Sequence, residues 1–270
     1  MPLKFRDRPV RDLPALLERL EEDERNLPGR RRPVIWFRGQ ARAADGLVPS
    51  FHQRNMAIAD EIYMMNLFKQ SAHELIQGQA PFSEWEWMFL MRHHGLPSRL
   101  LDWTENPLVG LYFAARTPEG TRANGALWCL LPSQLNKWSL AWPDDNFALP
   151  MFTENQSEFP LGENEALLSY LPSRLRRPRP RVPPPLPAAA MAVRTSKRIQ
   201  AQLGVFTIHH LDKVPLERAG DRSHIWRFII PAAQKARIQA QLRRIGVTRR
   251  ALFPELDNVA LVARDIVEAI

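Results

Sequence analysis

Polar side chains that could do chemistry are concentrated in one short stretch of the chain, residues 92 to 104, which reads Arg-His-His-Gly-Leu-Pro-Ser-Arg-Leu-Leu-Asp-Trp-Thr. So dense a polar set is unusual among so many apolar residues, and it indicates a functional site. Either His94 or its neighbour His93 could serve as a hydrogen-bond donor or general base. Asp102 could orient that imidazole beside Ser98 in a Ser/His/Asp arrangement. The chain has no Gly-x-Ser-x-Gly elbow, so a serine hydrolase is the less favoured interpretation.

A second candidate group is Arg38, which follows the apolar run Val34-Ile35-Trp36-Phe37 and precedes Gly39. This pattern predicts a buried strand that delivers the arginine to its end. A guanidinium there offers a planar fork of donors suited to a phosphate or carboxylate, and Gly39 would let a ligand approach the backbone closely. The alternative is a structural ion pair between Arg38 and Asp102 or another carboxylate. Both interpretations stay open.

The sequence gives no support for a metal site. Side chains of adjacent helical residues project about 100° apart, so His93 and His94 cannot form the one-face pair of a zinc helix. Cys129 is the single cysteine, which excludes an intramolecular disulfide and a cysteine-based zinc site. We therefore expect no metal cofactor.

Composition points to a globular protein. The chain has 270 residues, of which 45% are hydrophobic and 24% charged, and its formal net charge is +8. Its apolar runs are too short to cross a bilayer and no export signal is visible, so we expect a soluble, cytoplasmic protein without a membrane partner. The arginine excess lies in a few clusters not interleaved with aromatic residues. This distribution suits a nucleotide or another acidic ligand better than recognition of nucleic-acid bases.

Hydrophobic periodicity and capping signals predict the elements that position these groups. Ser83 with Glu86 three residues later predicts a helix start, and Gly95 with Pro97 predicts its end. Asn106-Pro107 predicts the next helix start. The remaining predicted elements are helices at 11–25, 57–76 and 232–244, strands at 34–37, 125–131, 204–209 and 223–230, and a final helix reaching about residue 270.

Together these elements predict a mixed α/β (α+β) fold over residues 1–270, a single domain with a small, mostly antiparallel sheet flanked by helices. Residues 132–160, where tryptophans lie among prolines and carboxylates, predict an irregular insertion. Residues 171–190 are rich in proline and arginine and predict an extended crossover. The alternative for this crossover is a basic docking segment for a protein partner.

Four ordered motifs resemble those of the bacterial FRG domain family, and the resemblance spans most of the chain. They are Trp-Phe-Arg-Gly-Gln at 36–40, His-His-Gly-Leu-Pro-Ser-Arg-Leu-Leu-Asp-Trp-Thr-Glu-Asn-Pro-Leu at 93–108 with Leu-Tyr-Phe-Ala-Ala at 111–115, Arg-Ile at 198–199 with Gln-Leu-Gly-Val-Phe at 202–206, and Leu-Phe-Pro-Glu-Leu-Asp at 252–257. The family usually has Gln and Thr where this chain has His93 and Ser98. The family is similar to phage-encoded and mobile-element accessory proteins.

Two functional hypotheses follow. In the first, the domain resembles ADP-ribosyltransferases in its logic, with NAD as the cofactor. Arg38 would hold a dinucleotide phosphate, Ser98 or Tyr112 would supply a hydroxyl or an aromatic platform, and Glu255 would stabilise a ribosyl cation.

In the second hypothesis the domain is a non-catalytic module that binds a nucleotide, a nucleic acid or a protein. Asp102 and Glu255 would then hold arginines in place, while other polar groups would recognise the ligand. The candidate recognition residues are Arg38, Gln40, Arg99, Arg198 and Gln202. In either hypothesis Leu100, Leu101 and Trp103 are predicted to be core residues.

Overall fold

A seven-stranded mixed sheet forms the centre of the protein. The computed structural model describes residues 7–27, 33–72, 74–76, 83–117, 122–140, 149–152, 164–176, 186–192 and 196–268. The strand order is β1-β7-β4-β2-β3-β6-β5; β1 pairs parallel with β7, and every other pair is antiparallel. The strands are β1 (Arg8–Pro9), β2 (Trp36–Gln40), β3 (Leu100–Thr104), β4 (Gly125–Leu130), β5 (Ala188–Ala190), β6 (Gly204–Ile208) and β7 (Ile225–Ile230). The predicted α/β fold with one mostly antiparallel sheet is confirmed.

Twelve α-helices are present in the described residues. They are α1 (Leu13–Asn26), α2 (Ser50–Gln53), α3 (Ile58–Ala72), α4 (Glu84–His93), α5 (Pro107–Ala114), α6 (Pro132–Ser139), α7 (Asn164–Leu168), α8 (Pro172–Leu175), α9 (Lys197–Ala201), α10 (Lys235–Arg244), α11 (Arg249–Leu252) and α12 (Leu256–Glu268). None of the helices in these described ranges combines the length and apolarity needed to cross a membrane.

The predicted capping signals act as expected. The Ser83 hydroxyl accepts from the Glu86 amide, and the Glu86 carboxylate accepts from the Ser83 amide, so the capping box is complete. Asn106 caps α5 by accepting from the Leu108 amide at 2.9 Å. Gly95 follows the end of α4 with φ of +83°, a left-handed conformation that glycine adopts readily.

Apolar side chains cover both faces of the sheet. On one face, helices α1, α5 and α10 pack against β2, β4 and β7, and α4 packs against β3 and β6. The opposite face is buried beneath the loops and helices around Leu47, Leu135 and Leu216. Leu100, Leu101 and Trp103 are buried as predicted, on alternate faces of β3.

Several local predictions need correction. Arg38 lies in the middle of β2 and not at its end, because the strand continues to Gln40 and pairs with β4 throughout. The predicted insertion at 132–160 begins with helix α6, which is tied to β5 by Asn136 through two 2.8 Å hydrogen bonds with Ala189. The predicted extended segment at 171–190 contains α8 and ends in β5. Its middle, residues 177–185, and residues 141–148 and 153–160 of the insertion lie outside the described residues.

Gly39 sits where helix α5 crosses strand β2. A Cβ at this position would lie 2.0 Å from the carbonyl oxygen of Gly110 and 2.4 Å from the amide nitrogen of Ala114. Both are backbone atoms of α5, which cannot rotate away as a side chain could. The helix thus occupies the space that a side chain at position 39 would take, and the expectation that a ligand approaches the Gly39 backbone stays a prediction.

We predict that Gly39→Ala lowers the free energy of unfolding by roughly 3 kcal/mol or more, the upper end of the range for overpacking. The matched control is Gly46→Ala, whose Cβ would meet the flexible Glu217 carboxylate at 3.1 Å. The control should lose less than about 1 kcal/mol. Urea denaturation of both variants measures the difference, and equal stabilities would contradict the packing described.

Three histidines among the described residues are buried, namely His52, His209 and His224. Burial lowers the pKa of each below its ordinary value, and His52 and Arg99 lower the pKa of His209 further. These imidazoles are therefore neutral in the folded protein near neutral pH.

This predicts a stability that falls on acidification. A histidine in the unfolded chain has a pKa of about 6.5, so below that pH the unfolded chain binds more protons than the folded one. Each histidine that stays neutral when folded then costs roughly 1.4 kcal/mol per pH unit. Urea denaturation between pH 7.5 and 5.5 should show this slope. His209→Gln should reduce the slope, and a stability independent of pH in this window would contradict the prediction.

Candidate functional site

Strands β2 and β3 separate in the middle of the sheet. Each pairs at five positions with its outer neighbour, β2 with β4 and β3 with β6, but they pair with one another at a single position, Phe37 with Thr104. Beyond that pair, the edges of β2 and β3 face an opening. The polar groups of the candidate site lie around it.

The Arg38 side chain crosses the sheet through this opening. Side chains alternate along a strand, so Arg38 leaves β2 on the face of Trp36, while Asp102 leaves β3 on the face opposite to Trp103. Arg38 Nη1 nevertheless donates to the main-chain oxygen of Asp102 at 2.5 Å and lies 3.7 Å from Asp102 Oδ2. The guanidinium therefore replaces the missing strand-to-strand hydrogen bond.

Arg92, in the last turn of α4, holds the carboxylate of Asp102 from the other side. Its Nε and Nη2 donate to Oδ1 and Oδ2 at 3.3 and 2.5 Å. Burial alone would raise the pKa of Asp102, but Arg92 and Arg38 together hold it below its ordinary value. Burial lowers the pKa of Arg38, and although Asp102 opposes this, the nearby positive charge of Arg92 adds to it.

A cleft of about 440 Å³ opens above these groups, on the α4 and α5 face of the sheet. Its volume is in the range of small-molecule sites. The polar side chains that line it belong to Arg38, Arg92, His93, Asp102, Thr104, Arg198 and Gln202, and the aromatic ones include Phe89, Phe113, Phe206 and Phe253. The cleft thus joins guanidinium donors to aromatic walls.

At one edge of the cleft, Glu255 binds Arg198. Arg198 Nε donates to Glu255 Oε1 at 2.6 Å, and the guanidinium lies over the Phe253 ring at 5.2 Å. Burial would raise the pKa of Glu255, but the hydrogen bond and charge of Arg198 lower it. His93 Nε2 lies 3.9 Å from the same oxygen. Burial, Arg198 and His94 lower the pKa of His93 despite Glu255, so its imidazole is neutral near neutral pH.

Residues 33–122 match the family model of the FRG domain. The protein contains an FRG domain. The family predicted from the sequence motifs is confirmed, and the matched residues include Arg38, Arg92 and Asp102, whereas Arg198 and Glu255 lie beyond them. No curated protein and no solved structure matches the chain.

Some of the predicted site residues meet at the cleft. Arg38, Asp102, Arg198 and Gln202 line it, and Glu255 lies at its edge through Arg198. The Gln202 side chain donates to the Leu252 carbonyl at 2.9 Å, and the main-chain carbonyl of Gln202 accepts from Thr104 Oγ1 at 2.6 Å. Gln202 therefore connects β3 to α11 at the cleft wall.

His94 and Ser98 are not part of the lining. His94 is the exposed residue at the end of α4, with its ring 6.0 Å from that of Phe68. Ser98 is buried in the turn before β3, where its hydroxyl accepts from the Leu100 amide at 3.0 Å. A Ser/His/Asp arrangement with Asp102 is absent from these described residues, because Asp102 is held by Arg92 and Arg38 instead.

Gln40 and Tyr112 also lie away from the cleft. Gln40 is on the opposite face of the sheet, where its amide oxygen accepts from Trp128 Nε1 at 2.6 Å and its amide nitrogen donates to the Gly46 carbonyl at 3.1 Å. Tyr112 lies in α5 next to the core of the α1 side, and its carbonyl accepts from Gln239.

Arg99 is fully buried, and its guanidinium forms hydrogen bonds that stabilise the core. It donates to Glu61 Oε2 at 2.7 Å and to the carbonyls of His209 and Tyr170 at 2.9 and 2.6 Å. The prediction that Arg38, His94, Ser98, Arg99 and Asp102 form one polar site is therefore wrong for three of these residues. Arg38 and Asp102 line the cleft, whereas His94, Ser98 and Arg99 do not. The Arg99 guanidinium already donates hydrogen bonds to main-chain and carboxylate oxygens.

Arg92 lines the cleft but was not among the predicted site residues, and His93, the predicted alternative to His94, lines it as well. They follow Phe89 by three and four positions on α4, and residues at these spacings share one helix face. His94 is rotated by a further 100° or so and points elsewhere. The spacing from Phe89 is the sequence signal that could have identified both residues as part of the site. The pairing of Arg92 with Asp102 has no sequence signal, because it depends on where α4 packs on the sheet.

We predict that Arg99→Met lowers the free energy of unfolding by about 3–5 kcal/mol, because it leaves the carboxylate of Glu61 buried and unpaired. The double variant Arg99→Met with Glu61→Leu should recover much of this loss. Arg11, 82% exposed, provides the control, and Arg11→Ala should change stability by less than about 0.5 kcal/mol. Urea denaturation measures all three, and an unchanged stability in Arg99→Met would contradict a structural role.

Proposed function

We propose that the cleft of this FRG domain binds a nucleotide, with NAD or its ADP-ribose part as the ligand to test first. The observation that carries this proposal is the lining by three guanidiniums, those of Arg38, Arg92 and Arg198, between phenylalanine rings. Guanidiniums bind phosphate oxygens through paired hydrogen bonds, and aromatic rings stack on bases. A nucleotide offers both groups in one molecule.

The charges of the cleft favour an anion. Asp102 is shared between two arginines and Glu255 is bound by the third, so three guanidiniums face two carboxylates. His93 adds no negative charge. Arg38 Nε is a buried donor without a hydrogen-bond partner among the described residues. A bound phosphate oxygen would relieve the cost of leaving a charged donor unpaired.

ADP-ribosyl transfer is the second candidate function, and Glu255 is the observation that favours it. Its carboxylate is ionised at the cleft edge, where it could stabilise the ribosyl cation that forms when nicotinamide leaves with the bonding electron pair. Water or a nucleophile on a target would complete the transfer. Ser98 and Tyr112 lie elsewhere, so Thr104 is the hydroxyl residue of the described lining.

With this activity the protein would act as a cytoplasmic effector in conflict with phages or mobile elements. Without turnover, the same cleft supports a sensor that binds a nucleotide, or a nucleic acid or protein through an exposed phosphate or carboxylate. The cleft arginines would bind the ligand in either role. A measurement of NAD turnover distinguishes the effector from the sensor.

For binding, we expect titration calorimetry to detect ADP-ribose and NAD, and Arg198→Ala to weaken both at least about tenfold. Hydrogen bonds to charged groups contribute roughly 1.5–3 kcal/mol, which corresponds to this change or more. Arg244→Ala, at an exposed arginine of α10, is the matched control and should leave affinity unchanged. Equal affinities in the two variants, each verified as folded, would place the nucleotide outside the cleft.

For turnover, nicotinamide released from NAD is measured by chromatography for the unmodified protein and Glu255→Gln. Release that depends on Glu255 supports transfer or hydrolysis of NAD. Binding of NAD with no release, in the presence of candidate protein and nucleic-acid targets, assigns the cleft to a sensor.

A further inference from the structure

Arg38 is in contact with two cavities on opposite faces of the sheet. The first is the cleft described above. The second, which we call the back groove, has a volume of about 490 Å³ and is lined by Arg38, Gln40, Arg42, Asp45 and Gln53, among others. Of the described residues that line them, Arg38 is the one common to both cavities. This follows from its path, since its stem lies on the Trp36 face and its guanidinium reaches the Asp102 face.

The back groove is polar and has an excess of positive charge. Arg38 and Arg42, which carry two positive charges, line it together with one carboxylate, of Asp45, and two carboxamides, of Gln40 and Gln53. The cleft has phenylalanine walls, whereas the described lining of the back groove holds Val48 as its one large apolar side chain. This chemistry suits a small, hydrophilic anion and gives no surface on which a base could stack.

Arg42 can turn to such an anion at little cost. Its Nε lies 3.3 Å from Asp45 Oδ2, with side-chain exposures of 56% and 45%. Exposed ion pairs of this kind contribute between 0 and about 1 kcal/mol, so a phosphate with two or three charges can replace Asp45 as the partner. Arg38, which also lines the groove, brings a second positive charge.

We propose that the back groove is a second anion site, for a phosphate or diphosphate group, and that Arg38 couples it to the cleft. An anion in the back groove draws on the guanidinium that also serves the cleft and adds negative charge behind it. Occupancy of the back groove therefore weakens anion binding in the cleft, and by reciprocity the cleft ligand weakens binding in the back groove. The site itself is independent of the proposed function, whereas the coupling rests on it.

The site is tested with inorganic diphosphate by titration calorimetry, in protein that carries Arg198→Ala to weaken the cleft. Diphosphate should still bind, and adding Arg42→Gln should weaken it at least about fivefold. The matched control is Arg54→Gln, at an exposed arginine outside the groove lining, which should change affinity less than about twofold. The absence of diphosphate binding, or equal affinity with and without Arg42→Gln, would overturn the site.

The coupling is tested by titrating ADP-ribose with and without saturating diphosphate. In the unmodified protein, diphosphate should raise the dissociation constant of ADP-ribose severalfold, and in Arg42→Gln this effect should disappear while ADP-ribose affinity without diphosphate stays unchanged. An effect that persists in Arg42→Gln shows direct competition in the cleft and overturns the coupling. If ADP-ribose does not bind at all, the proposed function fails, and the diphosphate titration still decides whether the back groove is a site.

Discussion

The hydrogen bond from Arg38 to the Asp102 carbonyl joins the two halves of the sheet. One half contains β1, β7, β4 and β2, the other contains β3, β6 and β5, and between them the strands pair only at Phe37 and Thr104. An unpaired strand edge inside a protein is costly, because each buried carbonyl or amide without a partner loses about as much free energy as a hydrogen bond provides. A long side chain with several donors can bridge the gap where a second backbone cannot. Arg38 does so, and its charge is thereby fixed at the centre of the sheet.

The charge of Arg38 explains the other residues around it. A guanidinium so little exposed requires a counter-charge, which Asp102 supplies, and Asp102 is in turn held by Arg92 in a bidentate pair. The pairing leaves the cleft with an excess of cations, because two arginines share one carboxylate. At the cleft edge, Arg198 and Glu255 bring α9 and the segment before α12 to the same place. The candidate site is thus built from the FRG domain match and from elements more than 70 residues beyond it.

Sequence reasoning recovered the parts of the fold that have local causes. The capping box of Ser83 and Glu86, the Asn106 cap and the left-handed Gly95 are set by neighbours within four residues, and each was predicted. Strand β3 was not predicted, because Leu-Leu-Asp-Trp-Thr has apolar residues on both faces and an aspartate in the middle that resembles a turn. That aspartate is stable in a strand because arginines from β2 and α4 surround it, and these contacts span 64 and 10 residues. Arg99 and Arg92 both lie in the predicted polar stretch, but they differ for the same reason. Long-range packing places Arg99 in the core and Arg92 at the cleft.

The central claim is that Arg38 uses its guanidinium both to join the strands and to bind an anionic ligand. Arginine-selective NMR of the side-chain Nε–H groups during a titration with ADP-ribose tests this directly. The signals of Arg38 and Arg198 should shift and saturate together, while that of Arg99, enclosed by Glu61 and two carbonyls, should not move. Saturable binding of ADP-ribose that leaves the Arg38 signal unchanged would contradict the claim.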